Sequence, residues 1–415
     1  MTDNKVNLGL SANFAADVFQ KLSTGILTLM DSLSKPKLKI ALSTYFYEKP
    51  ATNGVAIHVQ NLAKYLTEHN CEVHVFCSGK EDLTYREGKV IIHSIGKILA
   101  LTDDNMSKTR LEYDLFESEV IKSIIRENMK GKFDIIHTHG ELVKSAFILK
   151  KVHGIKWIHT FHAIEKLRVK ELSVEEKEYS DLISWMESTT NYCDGAIFVS
   201  KDLLKEGVKY YNLKSKKIIF NGVDLSLFSY TPITKKNVLF IGRFSKDKGI
   251  DQIPTIIESV MSINGATFTM CSPYETQTPE LKKIEAIINK QKEMYKERIT
   301  IILQPQRQNV IRELYKSCQI YIQPSKYESF GLCIVEAMAT GRAVIAFNVG
   351  GIPEVIGKAG FTVKNINSFK NKIKELLKNE AKCISIGKIA SARAKNFDWD
   401  LIALQTIEYY KEVLK

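Results

Sequence analysis

Two glutamates in the second half of the chain are spaced so that both could hold one ligand. Glu328 follows the apolar run Ile320–Ile322, and Glu336 comes after seven intervening residues. The run predicts a buried strand, and Gly331 onward predicts a helix whose first turn presents free backbone N–H groups. Because a helix rises about 1.5 Å per residue, Glu336 would lie roughly two turns from Glu328. The pattern therefore favours an elongated, hydroxyl-rich and anionic ligand such as a nucleotide sugar.

Two cations follow another predicted strand. Arg243 and Lys248 come directly after the apolar run Val238–Ile241. In open parallel sheets ligands collect at the carboxyl ends of the strands, so Arg243, with its planar fork, and Lys248, as a compact charge, are placed to neutralise a diphosphate. Charge on a departing nucleotide would be stabilised there with no metal required. Two ordinary surface cations in a loop are the alternative explanation.

The first half of the chain adds further candidates. Gly54, after the first predicted strand, would let the backbone approach a phosphate at a helix start. His162 follows a predicted strand at Lys156–Thr160, and the cations Lys166 and Arg168 come shortly after it. Taken alone, each feature has a structural explanation: a strand–helix turn, a structural histidine and a solvated cationic face.

These segments together resemble glycosyltransferase family 4, a retaining family that includes sucrose-phosphate synthases and mannosyl- and N-acetylglucosaminyltransferases. The stretch from Ile320 to Glu354 is similar to the C-terminal half of that family. The Gly-Arg and Lys-Gly pairs around Arg243 and Lys248, and the segment Thr160–His162, are similar to its other motifs. The resemblance implies an α/β fold of the GT-B type, in which two doubly wound Rossmann-like domains face each other across a cleft.

The resemblance also implies donor-binding roles. Glu336 would hold the ribose hydroxyls, Glu328 and the backbone of residues 330–332 would hold the sugar, and the two cations would hold the diphosphate. Asn53 stands where relatives commonly have a further glycine. The full donor-binding set is Gly54, Arg243, Lys248, Glu328, Phe330, Gly331, Leu332 and Glu336.

The catalytic residues implied by the resemblance are His162 and Glu328. His162 would hydrogen-bond the transferred sugar near its O6 and stabilise the oxocarbenium-like centre. Lys166 and Arg168 are similar to basic residues that some relatives use against a phosphorylated acceptor. The family's usual account is front-side attack, in which the departing phosphate oxygen takes the acceptor's proton. Glu328 as a covalent nucleophile is the less favoured alternative.

The reaction that follows from the resemblance is transfer of a hexosyl unit from a nucleoside-diphosphate sugar to an acceptor hydroxyl with retained configuration. UDP-glucose and UDP-N-acetylglucosamine are the favoured donors, with GDP-mannose behind them, and the acceptor could be phosphorylated or lipid-linked. No cofactor and no metal is expected. The alternatives are a nucleotide-sugar 2-epimerase of the same fold, a catalytically silent sugar-nucleotide-binding scaffold subunit, and a pyridoxal-dependent phosphorylase, for which nothing in the sequence calls.

Alternation of short β-branched runs with longer periodic stretches predicts two doubly wound halves. With an N-terminal extension at residues 1–35, the resemblance then implies an acceptor-binding domain at 36–225, a nucleotide-sugar-binding domain at 226–395, and a helix at 396–415 that crosses back to the first domain. Asp398 and Asp400 lie at the predicted start of that helix, where acids cap favourably, so we interpret them as capping residues rather than a metal pair.

The extension carries apolar residues at three- and four-residue spacing, including Phe14, Val18 and Leu22, which predicts an amphipathic helix. Its polar face has Asp17 and Asp31, whereas helices that seek membrane surfaces are usually richer in cations. Packing against the body is therefore favoured, and peripheral membrane contact or dimer docking stays open. The chain could accordingly be a monomer or a homodimer.

Composition narrows the class of protein. The 415 residues are 44% hydrophobic and 26% charged, as expected of a globular protein with two cores. The seven cysteines are scattered without a C-x-x-C pair, which predicts reduced thiols in a cytoplasmic protein. The net charge of +12 is spread along the chain and is accompanied by no nucleic-acid-binding motif, so a nucleic-acid partner is not expected.

Overall fold

The computed structural model describes residues 38–47, 51, 53–96, 106–140, 142–168, 174–273 and 278–415. The predicted amphipathic helix of the extension at residues 1–35 lies outside the described residues.

The first half of the described chain builds an eight-stranded sheet with helices between the strands. Its elements in chain order are β1 (Lys39–Ser43), α1 (Gly54–Glu68), β2 (Glu72–Gly79), β3 (Leu83–Glu87), β4 (Val90–Gly96), α2 (Met106–Lys130), β5 (Ile135–His139), α3 (Lys144–His153), β6 (Lys156–Phe161), α4 (Glu165–Arg168), α5 (Val174–Glu187), β7 (Gly195–Phe198), α6 (Lys201–Gly207) and β8 (Lys216–Ile218). The strand order is β3-β4-β2-β1-β5-β6-β7-β8, and all neighbours are parallel except β3 and β4. We call residues 39–218 the first lobe.

The second half builds a six-stranded, wholly parallel sheet. Its elements are β9 (Asn237–Ile241), α7 (Ile253–Met261), β10 (Thr267–Cys271), α8 (Pro279–Tyr295), β11 (Ile299–Ile302), α9 (Gln308–Lys316), β12 (Ile320–Gln323), α10 (Leu332–Ala339), β13 (Ala343–Phe347), α11 (Ile352–Ile356), β14 (Phe361–Val363), α12 (Ile366–Leu377) and α13 (Glu380–Ala394). The strand order is β11-β10-β9-β12-β13-β14. We call residues 237–394 the second lobe.

Each sheet has one point where the chain order reverses. In the first lobe it lies between β1 and β5, and in the second between β9 and β12. Loops that leave the carboxyl ends of the two strands at such a point diverge and open a crevice, the usual place for a ligand in an open α/β sheet. The loops after β9 and β12 carry Arg243, Lys248 and Glu328. The topology thus brings two separately predicted motifs to one crevice.

The central strands, such as β1 and β9, are short apolar runs that are buried on both faces, as helix-covered parallel sheets require. Ile40 and Leu42 of β1, and Val238 and Phe240 of β9, are fully buried. Helix α7 is apolar on the face that packs on the second sheet, with Ile256 buried in that core. These cores hold the sheet edges, and hence the loops, in place.

A last helix, α14 (Trp399–Leu414), packs against α1 and β6 of the first lobe. Asp398 caps it by accepting a hydrogen bond from Asp400 N at 3.1 Å, as its sequence indicated. The chain therefore passes between the lobes twice. These passages lie side by side, because Val223 N donates to Phe397 O at 2.7 Å.

Twelve of the fourteen strands found in the described residues correspond to strands that the short β-branched runs of the sequence predict, near residues 39–43, 72–77, 90–94, 134–137, 156–160, 196–200, 217–220, 237–241, 266–271, 299–303, 319–323 and 343–347. The sequence pattern missed β3, an exposed antiparallel edge strand that returns through a turn at Gly88, and β14, which has only three residues. Neither is long or apolar enough to show a buried-strand pattern. The predicted domain limits at 225 and 395 stay predictions.

All seven cysteines are free thiols, and six of them are buried. Among the helices formed by the described residues, none is both long and apolar enough to cross a bilayer.

Candidate functional site

The cation loop after β9 is held tightly against the loop after β12. Asp247, almost fully buried, accepts a hydrogen bond from Arg243 Nη2 at 2.9 Å, and its backbone oxygen accepts one from Lys326 N at 2.8 Å. Gly249 has a φ of +75°, and a Cβ there would lie 1.8 Å from Pro324 O. Only glycine fits this left-handed close approach. The two loops are consequently one rigid unit.

Lys248 and Glu328 form an ion pair inside this unit. Lys248 Nζ lies 2.8 Å from Glu328 Oε2, and both side chains are largely buried. Such a charge-assisted bond between two half-desolvated groups holds each charge in a defined place. The residues that the sequence predicted for the diphosphate and for the sugar are therefore direct neighbours.

Gly350 and Gly351, which follow β13, also contact the backbone of the Glu328 loop. Gly351 N donates to Glu328 O at 3.0 Å. Gly350 has a φ of +52°, and a Cβ there would lie 2.1 Å from the same oxygen. The backbone around Glu328 thus has little freedom to move.

Helix α10 begins at this loop. Gly331 is its N-cap residue, and the first intrahelical donor is Ile334 N, which bonds Gly331 O at 3.0 Å. The N–H groups of Leu332 and Cys333 precede it and give the helix its positive end. Phe330 is buried, with its ring beside Phe397 of the passage between the lobes, so only its backbone could contact a donor.

Gly54 faces this same helix start from the first lobe. It is the first residue of α1, and Asn53 caps that helix by accepting from Ala56 N at 2.9 Å. A Cβ on Gly54 would lie 3.3 Å from Leu332 Cδ1. The starts of α1 and α10 thus approach each other across the crevice.

Glu336 lies further along α10 and is 6% exposed. Its Oε2 accepts a hydrogen bond from Tyr315 Oη at 2.9 Å. Burial raises the pKa of this carboxyl to about 7, against the opposing effect of the Tyr315 bond. A carboxylate in so dry a place is a strong acceptor for hydroxyl groups.

His162 is half-buried after β6 and belongs to a group of histidines. Its Nε2 lies 3.1 Å from Nδ1 of His139, and its ring centroid lies 4.5 Å from that of His58. Burial, together with the neighbouring histidines, holds the pKa of His162 well below its usual range, so the ring is neutral at physiological pH. A neutral imidazole can donate or accept a hydrogen bond but adds no positive charge to the site.

The structure gives fewer contacts for the two expected acceptor-binding residues, Lys166 and Arg168. Lys166 is exposed, and its Nζ lies 5.5 Å from the ring centroid of Tyr210. Arg168 ends α4, and its side chain lies outside the described part of the chain.

The lobes contact each other beside the site. Tyr327, next to Glu328, accepts a hydrogen bond at its Oη from Ile164 N at 3.3 Å. Glu354 of α11 accepts from Lys201 N and Asp202 N, each at 3.0 Å, and so caps α6 of the other lobe. These contacts bring the His162 segment and the Glu328 loop to one cleft.

Sequence reasoning missed four supporting residues: His58, His139, Tyr315 and Glu354. His58 lies near a helix start and His139 ends a strand, whereas Tyr315 lies near the end of a helix. A tyrosine or histidine at such a position is usually structural, and the partners here are far apart in the chain. Only the topology could reveal these contacts.

Two family models match the chain. The model described as Glycosyltransferase Family 4 matches residues 52–227, and the model described as Glycosyl transferases group 1 matches residues 229–393. An uncharacterized glycosyltransferase of Methanocaldococcus jannaschii is 27% identical over 91% of this chain and 99% of its own length.

Solved glycosyltransferase structures share the fold of this chain. Sucrose-phosphate synthase from Thermosynechococcus elongatus superposes with a TM-score of 0.77 at 22% identity, over 91% of this chain and 99% of its own. HepE of Anabaena in complex with UDP-glucose does so with a TM-score of 0.68 at 16% identity, over 90% of this chain and 100% of its own.

The fold and these matches define a glycosyltransferase of the GT-B class. Within that class, the chain belongs to glycosyltransferase family 4.

Proposed function

We propose that this glycosyltransferase moves a hexosyl unit from a uridine-diphosphate sugar to an acceptor hydroxyl, with retention of anomeric configuration and without a catalytic metal. The observation that carries the proposal is the Lys248–Glu328 pair beside the start of α10. It places a cation, a carboxylate and free backbone donors within one crevice, as a diphosphate joined to a sugar requires. UDP-glucose and UDP-N-acetylglucosamine are the proposed donors.

The donor would lie along α10. Glu336 would accept hydrogen bonds from the ribose hydroxyls, and the N–H groups at the helix start would meet the anionic or hydroxyl-rich end of the ligand. Arg243 and Lys248 would neutralise the diphosphate. Glu328, released from part of its bond to Lys248, would accept from sugar hydroxyls.

Transfer would then occur on one face of the anomeric carbon. The bond from that carbon to the phosphate oxygen breaks as its bond to the acceptor oxygen forms, and the departing phosphate oxygen takes the acceptor's proton. Preoriented cations and N–H groups meet the charge that develops on the leaving group. His162 would donate or accept at the transferred sugar and hold it in the reacting position.

The acceptor would enter from the first lobe, near Lys166 and Arg168. Sucrose-phosphate synthase, by its name, makes a phosphorylated sugar. A phosphorylated acceptor suits two lysine- and arginine-type cations. A lipid-linked hydroxyl is the other acceptor class to be included in a screen.

Calorimetric titration tests the donor site directly. UDP-glucose, UDP-N-acetylglucosamine and GDP-mannose are titrated into the wild-type protein, Lys248→Ala and Lys246→Ala. Lys246 is the matched control, since its ion pair is with the exposed Glu280. We expect a uridine donor to bind, and Lys248→Ala to weaken it by about 10–100-fold, the usual effect of losing a charge-assisted bond.

Lys246→Ala should leave the donor affinity unchanged. If Lys248→Ala has an unaltered circular dichroism spectrum and binds the donor as tightly as the wild type, the proposed diphosphate site is wrong. Binding of GDP-mannose alone would overturn the uridine donor.

A further inference from the structure

Three histidines from three different elements meet at the floor of the cleft. His58 comes from the first turns of α1, His139 ends β5, and His162 follows β6. One ring nitrogen of each lies within 4.8 Å of the others. Glycosyl transfer as proposed above uses only His162, so the convergence of the other two rings has no part in it.

Two buried ring nitrogens of this group make no hydrogen bond to any described residue. Nε2 of His58 and Nε2 of His139 have no hydrogen-bond partner among the described residues, although these side chains are only 4% and 1% exposed. A buried polar atom without a partner carries a desolvation penalty that a bound ligand would remove. Nε2 of His58 therefore indicates that something polar can bind here, and Nε2 of His139 is available to carry the proton of its own ring.

His58 is oriented as a metal ligand would be. Its Nδ1 lies 2.8 Å from Asn221 Oδ1, and this oxygen can only accept. The network thus assigns the proton to Nδ1 and a free lone pair to Nε2. A carbonyl oxygen behind the distal nitrogen is the arrangement that supports metal-bound histidines in proteins.

One of the three nitrogen–nitrogen distances suits a tetrahedral ion, and each ligand nitrogen lies within 4.8 Å of the other two. Zinc lies about 2.0 Å from each histidine nitrogen, which puts ligand nitrogens roughly 3.3 Å apart. Nδ1 of His139 and Nε2 of His162 are already 3.1 Å apart. For both to face a metal, the proton that they share would move to the opposite nitrogen of its own ring, and no net proton would be released. All three rings are neutral, because burial depresses their pKa values.

We propose that His58, His139 and His162 form a binding site for a divalent transition-metal ion, with Zn²⁺ as the ion that this ligand set fits best. Three neutral imidazoles are a preferred ligand set for zinc, and carboxylate-seeking ions such as Mg²⁺ are disfavoured. The half-exposed side of His162 leaves a fourth position open toward the cleft.

A second histidine group in the first lobe does not have the same properties. His74, His93 and Glu127 also lie close enough to share an ion. Both nitrogens of His74 and both of His93 already have hydrogen-bond partners, namely each other, Glu72 and Thr84. An ion there would have to displace existing bonds, so this group serves as the internal control.

One consequence rests on the proposed function. A zinc ion on His162 would withdraw that ring from the transferred sugar, so zinc would inhibit glycosyl transfer and a chelator would restore it. The binding itself does not depend on that function and is measured separately.

The test is titration of the purified full chain with Co²⁺, whose visible absorption reports four-coordinate histidine ligation, followed by displacement with Zn²⁺. We expect about one ion per chain. Asn221→Ala should weaken zinc binding by about 10-fold or more through loss of the orienting bond. His58→Gln should abolish the cobalt band, whereas His93→Gln should preserve it.

The proposal is wrong if the wild type shows no band, or if the band survives His58→Gln and is lost in His93→Gln. Anomalous diffraction at the zinc edge, from wild-type crystals soaked in zinc, decides the matter even if a variant does not fold. A peak between His58, His139 and His162 supports the site. A peak only at His74 and His93, or none, overturns it.

Discussion

Glu336 illustrates how a residue that we propose to bind the donor can oppose the stability of its own fold. It is nearly fully buried with Tyr315 Oη as its hydrogen-bond donor, and burial raises its pKa to about 7. In the unfolded chain the carboxyl ionises near its ordinary value. The folded state therefore loses stability as pH rises from the unfolded pKa to the folded one, and above that range the loss is complete.

Glu336→Gln should remove this loss. We expect the free energy of unfolding to rise by about 1–2 kcal/mol at pH 8, with no gain near pH 4.5. Urea unfolding at both pH values measures it. A wild type and a variant that differ by the same amount at both pH values would contradict the buried-carboxylate account.

Glu328→Gln is the matched comparison at the other end of the proposed donor site. Here the carboxylate is paired, so its loss leaves the largely buried Lys248 without a counter-charge. We expect stability at pH 8 to fall by about 1 kcal/mol. The two glutamates, which look alike in the sequence, should thus respond in opposite directions in the same unfolding experiment.

The loop positions of Arg243, Lys248 and Glu328 could be predicted from the sequence, because each of these residues follows an apolar run that predicts a strand. The side chains with which these residues form hydrogen bonds and ion pairs could not be predicted from the sequence. Lys248 and Glu328 are 80 residues apart, and the bond between them depends on β9 and β12 being neighbours at the reversal of the sheet. His58 and His139 reach His162 for the same kind of reason.

The first turn of helix α6, in the first lobe, is capped by a side chain of the second lobe. Lys201 N and Asp202 N donate to Glu354 of α11, and Ser200 caps the next amide, Leu203 N, at 3.1 Å. A seven-residue helix has little stability of its own. Its first turn consequently depends on the contact between the lobes.

Glu354→Ala should loosen this helix start. Loss of a cap costs about 1 kcal/mol, so amide exchange at Lys201 and Asp202 should become about 5-fold faster. Hydrogen–deuterium exchange read by NMR or fragment mass spectrometry measures it. Glu313→Ala, at an exposed ion pair on α9, is the control and should leave α6 unchanged. Unaltered exchange in Glu354→Ala would mean that the cap does not persist in solution.

Elements were more predictable than their contacts. Strands such as β1 and β9 are uninterrupted apolar runs, so burial on both faces made them readable from the sequence. Strand β3 is exposed and pairs only at the sheet edge, and β14 is defined by pairing with β13. These two strands form because they pair with neighbouring strands, and the composition of their own segments does not indicate that pairing.

At the scale of the molecule, α14 joins the end of the chain to the first sheet. Tyr410 is fully buried, and its Oη lies 2.7 Å from Nδ1 of His137 in β5. Tyr409 Oη accepts from Ala196 N at 3.1 Å. The resemblance implied that this helix crosses back to the first domain, but no local pattern in either segment indicates these two bonds.

Tyr410→Phe should destabilise the protein by about 1–3 kcal/mol, because it leaves a buried imidazole nitrogen without its partner. Tyr192→Phe is the control, since that ring is 56% exposed. Chemical unfolding followed by circular dichroism compares the two. Equal stabilities would show that the His137 bond contributes nothing net.

The central claim is acceptor-dependent transfer with retention, and its most direct measurement follows donor, acceptor and product together. The purified chain is incubated with each nucleotide sugar, alone and with sugar phosphates, polyols and lipid-linked acceptors, while released nucleoside diphosphate is assayed and the product is examined by NMR. We predict release of UDP only when an acceptor is present, and a product with the anomeric configuration of the donor. An inverted product, or conversion of the donor to its epimer with no acceptor present, would contradict this account.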